Sequence, residues 1–256
     1  MIKKYLTLRN IIYLIILYCL PWFIWEIYDV MTRESAISPI TQPKCQDYEG
    51  LQIKDFELVP ENYSGFVKTC YNGNIHKLGE YKNGKYHGCF RKWDGYWIES
   101  EVHFKNGLLD GRSREWEWPE IQAKIDYYFK EGKLHGVAKE WKEYKEIDKV
   151  YEYGEMYLSQ ETPYNMGVIE GVDKHYYPEI KTFKHDTYKN GKLNGVSRTY
   201  WKGEIIIENN YLNDKLHGRC SKWDEDFHIE YIKIYDQGRV IDSKCWDSFG
   251  NQIKCH

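Results

Sequence analysis

The eight residues Tyr188-Lys189-Asn190-Gly191-Lys192-Leu193-Asn194-Gly195 have a near copy at Tyr81-Lys82-Asn83-Gly84-Lys85-Tyr86-His87-Gly88. Further copies open at Phe104, Phe129, Tyr164, Tyr211 and Tyr235. Glycine stands three positions after the opening aromatic in every copy but one, where Asp214 takes the place. An apolar or aromatic residue follows two positions later: Tyr86, Leu109, Leu134, Ile169, Leu193, Leu216 and Val240. A second glycine closes each copy, except the last, which has Asp242. Openings are 23 to 25 residues apart, save for 35 residues between Phe129 and Tyr164. A fixed period in this range means small units that bury their apolar sides only by stacking on one another.

The unit from Tyr188 reads as a hairpin. Asn190-Gly191 favours the positive φ of a tight turn. Val196, Arg198 and Tyr200 then alternate with Ser197 and Thr199, the period of a half-buried strand. Lys202-Gly203-Glu204 is a second turn, and Ile205 to Tyr211 returns to open the next unit. With 24 Tyr and 10 Trp in the chain, the composition suits strands. One hairpin is not stable alone in water, so successive hairpins must join into a long meander. The expected fold class is all-β: an elongated antiparallel β-hairpin repeat array with an N-terminal transmembrane helix. The expected divisions are a membrane anchor at 1–30, a stem or linker at 31–62, and the array at 63–256.

The anchor rests on Asn10 to Trp25, an uncharged and mostly apolar run of 16 residues. It is shorter than the ~20 residues of a comfortable span, with Leu6 and Leu8 extending it beyond Arg9. Lys3, Lys4 and Arg9 precede it, and Glu26 and Asp29 follow it. The positive-inside rule then places the N-terminus in the cytoplasm and the array on the far side of a single-pass membrane protein. A cleaved signal peptide is the rival reading, but the nearest small-x-small site, Ala36-Ile37-Ser38, would be followed by Pro39.

Two columns are candidates for recognition. Five residues after the second glycine stand Trp93, Trp116, Trp141, Tyr176, Tyr200 and Trp223, candidate anchors for a protein partner. Two residues earlier stand Arg91, Arg114, Lys139, Lys174 and Arg198, a candidate contact for an anionic lipid or acidic partner. The same cations packed against the neighbouring aromatics on a solvated face are the plainer reading. His87, His135 and His217 share a slot with Asp110, Glu170 and Asn194, so a polar turn group explains them better than a metal. Net charge is −3, which gives no nucleic-acid footprint. Nucleophile elbows, phosphate loops and nucleotide fingerprints are missing from the sequence, so no enzyme and no cofactor are expected. Six cysteines follow Cys19, an even number consistent with disulfides outside the cytoplasm. Cys245 with Cys255 is the expected staple at the array's end, and Cys45, Cys70 and Cys89 offer one more bridge.

The pattern aromatic-x-Asn-Gly-Lys-x-[His/Asn/Asp]-Gly resembles the MORN repeat, and specifically the bacterial variant known as an antitoxin component of toxin–antitoxin systems. The likeness spans roughly residues 65 to 242. It implies a non-catalytic array of antiparallel hairpins that binds or scaffolds proteins, with membrane lipid as a further contact. The expected function is therefore a membrane-anchored module for protein–protein interaction or scaffolding. The alternative is an antitoxin or immunity protein that neutralises a toxin by direct binding. The antitoxin likeness implies a cytoplasmic partner, at odds with the anchor.

Overall fold

A computed structural model describes residues 42–116, 123–143 and 156–255. The N-terminal run expected to cross a membrane lies outside these residues, as does most of 142–155. Among the described residues no helix is long and apolar enough to cross a membrane.

The structure is one antiparallel meander. A leading cap contributes Leu51–Gln52 (β1). The first units follow as Gly65–Tyr71 (β2), Asn74–Lys82 (β3), Lys85–Asp94 (β4), Trp97–Lys105 (β5) and Leu108–Trp116 (β6). The middle comprises Ala123–Lys130 (β7), Lys133–Leu134 (β8), Gly136–Glu143 (β9), Met156–Asn165 (β10), Val168–Ile169 (β11) and Gly171–Tyr177 (β12). The last units are Thr182–Lys189 (β13), Lys192–Trp201 (β14), Glu204–Leu212 (β15), Lys215–Leu216 (β16), Gly218–Trp223 (β17), Ile229–Asp236 (β18), Arg239–Trp246 (β19) and Gln252–Ile253 (β20). Apart from β1, which runs parallel to β2, every pairing is antiparallel and joins near neighbours in the chain. The wide spacing between Phe129 and Tyr164 closes in the same way. Met156–Asn165 pairs with Gly136–Glu143, so the meander runs on across the long unit.

The repeat pattern is explained by its turns. Each opening aromatic lies directly opposite the apolar residue after the turn: Tyr81 and Tyr86, Phe104 and Leu109, Phe129 and Leu134, Tyr188 and Leu193. The turn residues Asn83, Asn106 and Asn190 have φ of 52°, 53° and 52°, the left-handed pair geometry that matches strand twist. Glu131 and Met166 take the same conformation at 51° and 50°, so the unit imposes it even without asparagine. Gly84, at φ +70°, has a second reason to be glycine. A Cβ there would lie 2.0 Å from the Glu61 carbonyl oxygen.

Consecutive turns are also bonded to one another. The turn N–H of Gly84 donates to the Tyr63 carbonyl (2.8 Å), Gly107 to Tyr86 (2.8 Å), Gly132 to Leu109 (2.7 Å) and Gly167 to Leu134 (2.7 Å). The series continues with Gly191 to Ile169, Asp214 to Leu193 and Gly238 to Leu216. The polar residue before the second glycine caps the following turn. Ser64 Oγ accepts from Asn83 N (2.9 Å), Asp110 Oδ2 from Glu131 N (3.2 Å) and Glu170 Oε2 from Asn190 N (2.6 Å). His87 Nδ1 accepts from Asn106 N at 3.5 Å, a weaker bond. This is the turn role that the shared slot of His87, Asp110 and Glu170 suggests.

The stretch from 42 to 62, expected to belong to a linker, is instead folded onto the first hairpin. Ile75 N donates to the Pro43 carbonyl and Cys45 N to the Gly73 carbonyl, both at 2.9 Å. Phe56 is buried against Val67 and Tyr81, with Tyr86 and Phe90 around them. The physical reason is the sheet's leading edge: β2 needs both a backbone partner and a cover for its apolar side. Gly79 makes room for this cluster, because a Cβ there would fall 2.0 Å from the Phe90 ring. The cap is closed by a Cys45–Cys70 disulfide (Cα–Cα 6.0 Å). At the other end Cys245 and Cys255 are bonded (Cα–Cα 5.3 Å). Cys89 and Cys220 are free thiols.

Candidate functional site

Alternation along the strands separates two faces. On one, small and polar groups are buried in a continuous row: Ala138, Thr162, Asp173, Asp186 and Ser197. Burying carboxylates there requires a donor for every oxygen. The Thr162 hydroxyl donates to Asp173 Oδ1 (2.6 Å), and His175 Nε2 lies 2.8 Å from Oδ2. The Ser197 hydroxyl donates to Asp186 Oδ1 (2.5 Å) and Lys184 Nζ to Oδ2 (2.6 Å). This face is a satisfied polar interior.

The other face carries the cation column, and cross-strand register gives it partners. Arg91 is opposite Glu101, Glu101 opposite Arg114, and Arg114 opposite Asp126. Asp126 is opposite Lys139, Lys139 opposite Glu161, and Glu161 opposite Lys174. Then come His185, Arg198 and Glu208. The result is a ladder of alternating charge. Arg91 Nε donates to Glu101 Oε2 (2.8 Å) and Arg114 Nη2 to Glu101 Oε1 (2.6 Å). Lys139 and Lys174 both reach Glu161, at 3.2 and 3.0 Å, and Arg198 Nε donates to Glu208 (2.8 Å). Asp126 is held by Arg112, through Nε at 2.8 Å and Nη2 at 2.5 Å. The cations of the candidate lipid-contact column therefore already have protein counter-ions.

The ladder sets its own ionisation. Burial pushes the Glu101 carboxyl up, but the Arg114 and Arg91 hydrogen bonds outweigh it, and the group ends below the usual carboxylate range. Glu161 follows the same logic through Lys174 and Lys139. His185 breaks the alternation, standing where other units have an acid. Burial, then Lys174 and Arg198 on either side, hold its imidazole below the ordinary value.

The aromatic column borders the ladder. Trp93 is 1% exposed and Trp116 9%, so these two lack the exposure expected of contact anchors and serve the interior instead. Trp141, Tyr176, Tyr200 and Trp223 are half-buried. Phe183 lies between Tyr176 and Tyr200 and stacks on the latter (4.3 Å between centroids). On the ladder's other flank runs an apolar stripe absent from the sequence reading. Tyr128, Val137 and Val172 are 47, 46 and 43% exposed, and Pro163 lies directly opposite Val137. These residues stand two positions from Asp126, Lys139 and Lys174, on the same face.

One cluster has metal-ligand chemistry: the donor atoms of Cys89, Glu101 and His103 lie within 4.8 Å of one another. The donor set does not fit a cation. Both Glu101 oxygens are taken by arginines, and burial pushes the Cys89 thiol up to about 11, far from the thiolate a metal needs. In the histidine turn slot, Nδ1 of His135 and of His217 are both buried without a hydrogen bond, although His217 Nδ1 lies 3.4 Å from Asp236 Oδ1.

The acids Glu101, Asp126, Glu161 and Glu208 were legible in the sequence. Each stands three residues before an opening aromatic. No family model matches this chain, and no curated protein matches it.

Proposed function

We propose that the chain is a non-catalytic recognition module of the MORN kind, anchored in a membrane by its N-terminal segment. Its repeat array binds a protein partner on the non-cytoplasmic side. The observation that carries this reading is the apolar stripe of Tyr128, Val137, Pro163 and Val172 beside the ladder. Adjoining apolar groups rimmed by charge, three of them exposed, are a feature of contact surfaces. The ladder's internal pairing favours a protein partner over an anionic lipid on this face, because the ladder's own cations already have counter-ions. Disulfides at both ends of the array favour an oxidising compartment over the cytoplasm, and so favour this reading over a cytoplasmic antitoxin.

The test places a photo-crosslinking residue at Val137 or Val172 in cells that make the protein. A single discrete adduct is expected, lost in a Val137→Glu, Val172→Glu double variant whose melting is unchanged. An adduct that survives the double variant sinks the stripe as the contact. An impermeant thiol reagent on intact cells tests the side. Added labelling after reduction is expected, and protection until the membrane is opened refutes the topology.

A further inference from the structure

The sheet edge that carries the Asp94-Gly95-Tyr96-Trp97 turn holds a cavity of about 270 Å³. Its walls are Asp94, Gly95, Trp97, Ile98, Glu99 and Trp116. Asp94 and Trp97 lie directly opposite each other at the end of β4 and β5. Trp97 is 42% exposed and opens the cavity to solvent, while Trp116 is buried and gives a fixed wall. Glu99 is neutralised by Lys92 Nζ at 2.5 Å, whereas Asp94 has no ion pair among the described residues.

We infer that this cavity binds an alkylammonium group. Trp97 offers an electron-rich ring, Trp116 adds apolar area, and the exposed Asp94 carboxylate, without an ion pair among the described residues, supplies the opposite charge. The Arg114 guanidinium already lies over Trp116, 5.1 Å from its centroid, so Trp116 serves the ligand as an apolar wall and Trp97 as the cation-binding ring. A neutral ligand would gain the apolar contact but not the attraction of the Asp94 carboxylate. The site is separate from the apolar stripe and does not depend on what that stripe recognises.

The test uses the full-length chain labelled with [15N]tryptophan. The Trp97 indole resonance is identified by its loss in Trp97→Phe. Choline is titrated against 3,3-dimethylbutan-1-ol, its uncharged isostere. A saturable shift of the Trp97 signal by choline is expected, with the alcohol binding about tenfold more weakly. Asp94→Asn should weaken choline by a similar factor while the other indole signals stay in place. Nα-acetyl-lysine methylamide separates the sources of such a group. Binding as tight as choline's points to a lysine side chain, and weaker binding points to a quaternary amine. Equal shifts from the alcohol, no saturable shift, or unchanged choline binding in Asp94→Asn each overturn the inference.

Discussion

Replacing Glu101 by Gln removes the acid shared by two arginines. Glu101 and Arg114 are each 5% exposed, and Arg114 Nε and Nη1 already lack acceptors. The variant leaves a buried guanidinium without its counter-charge, a change that costs about 3–5 kcal/mol. Glu208→Gln breaks a pair of the same geometry in which Arg198 and Glu208 remain 42 and 27% exposed. There the cost is about 0.2–1 kcal/mol, as for solvent-exposed pairs. A loss of 3 kcal/mol in a chain of this size lowers the melting temperature by roughly 6–12 °C. Urea unfolding and amide exchange in β4, β5 and β6 read the difference directly. The pH profile adds a sign. Glu101 lies below its ordinary value of 4.5 in the folded state, so its contribution is complete above that pH. It fades as pH falls through the folded value. Glu101→Gln should therefore flatten the acid limb of the stability curve. A further variant, Glu101→Met with Arg114→Met, should recover much of the loss, because two apolar groups leave no charge stranded. Equal penalties for Glu101→Gln and Glu208→Gln would refute the reasoning, since Glu101 is both buried and shared by two arginines whereas Glu208 is half-exposed and serves one.

His185→Glu restores the alternation between Lys174 and Arg198 and should stabilise by about 0.2–1 kcal/mol, read as a rise in melting temperature. The imidazole is depressed in the folded state, so the native chain should lose some stability as pH drops through 6.5, a loss the variant lacks. Gly84→Ala meets both a positive φ and the Glu61 carbonyl, whereas Gly203 has a positive φ with nothing within 4 Å of an added Cβ. Gly203→Ala should cost about 1–2 kcal/mol and Gly84→Ala clearly more, as measured by urea midpoints. Ser replacement of Cys245 and Cys255 should lower protection against amide exchange in β19 and β20 by about 2–3 kcal/mol, and leave β2 to β6 unchanged, since the units couple only to neighbours.

The sequence carried the hairpins because their signals are local. An Asn-Gly turn, a period of two and a recurring aromatic specify each unit without reference to any other. The ladder is different. Glu101 lies ten residues from Arg91 and thirteen from Arg114, and register through two bulges decides that they meet. The acids do recur at a fixed place before most opening aromatics, but the two cations that Glu101 and Glu161 each serve come from different hairpins. Burial was harder still to read. Both faces carry aromatics, so alternation separates Trp93 from Lys92 without saying which side meets water. The leading cap escaped for another reason: Phe56 is one apolar residue in a stretch with no period, and only the first hairpin gives it a place.

The bonds between successive turns give the array a direction of growth. Each turn takes its acceptor from the unit before it, beginning with Tyr63, a residue of the cap. The next acceptor in the series falls at Val240. A tandem duplication downstream of Tyr63 thus inherits a ready neighbour on each side, whereas a unit placed ahead of Tyr63 would have to rebuild the packing around Phe56. Gain or loss of whole units leaves acids facing cations. A single-residue slip within a strand turns its ladder residues to the opposite face. For such a chain, whole units are the natural increments of length.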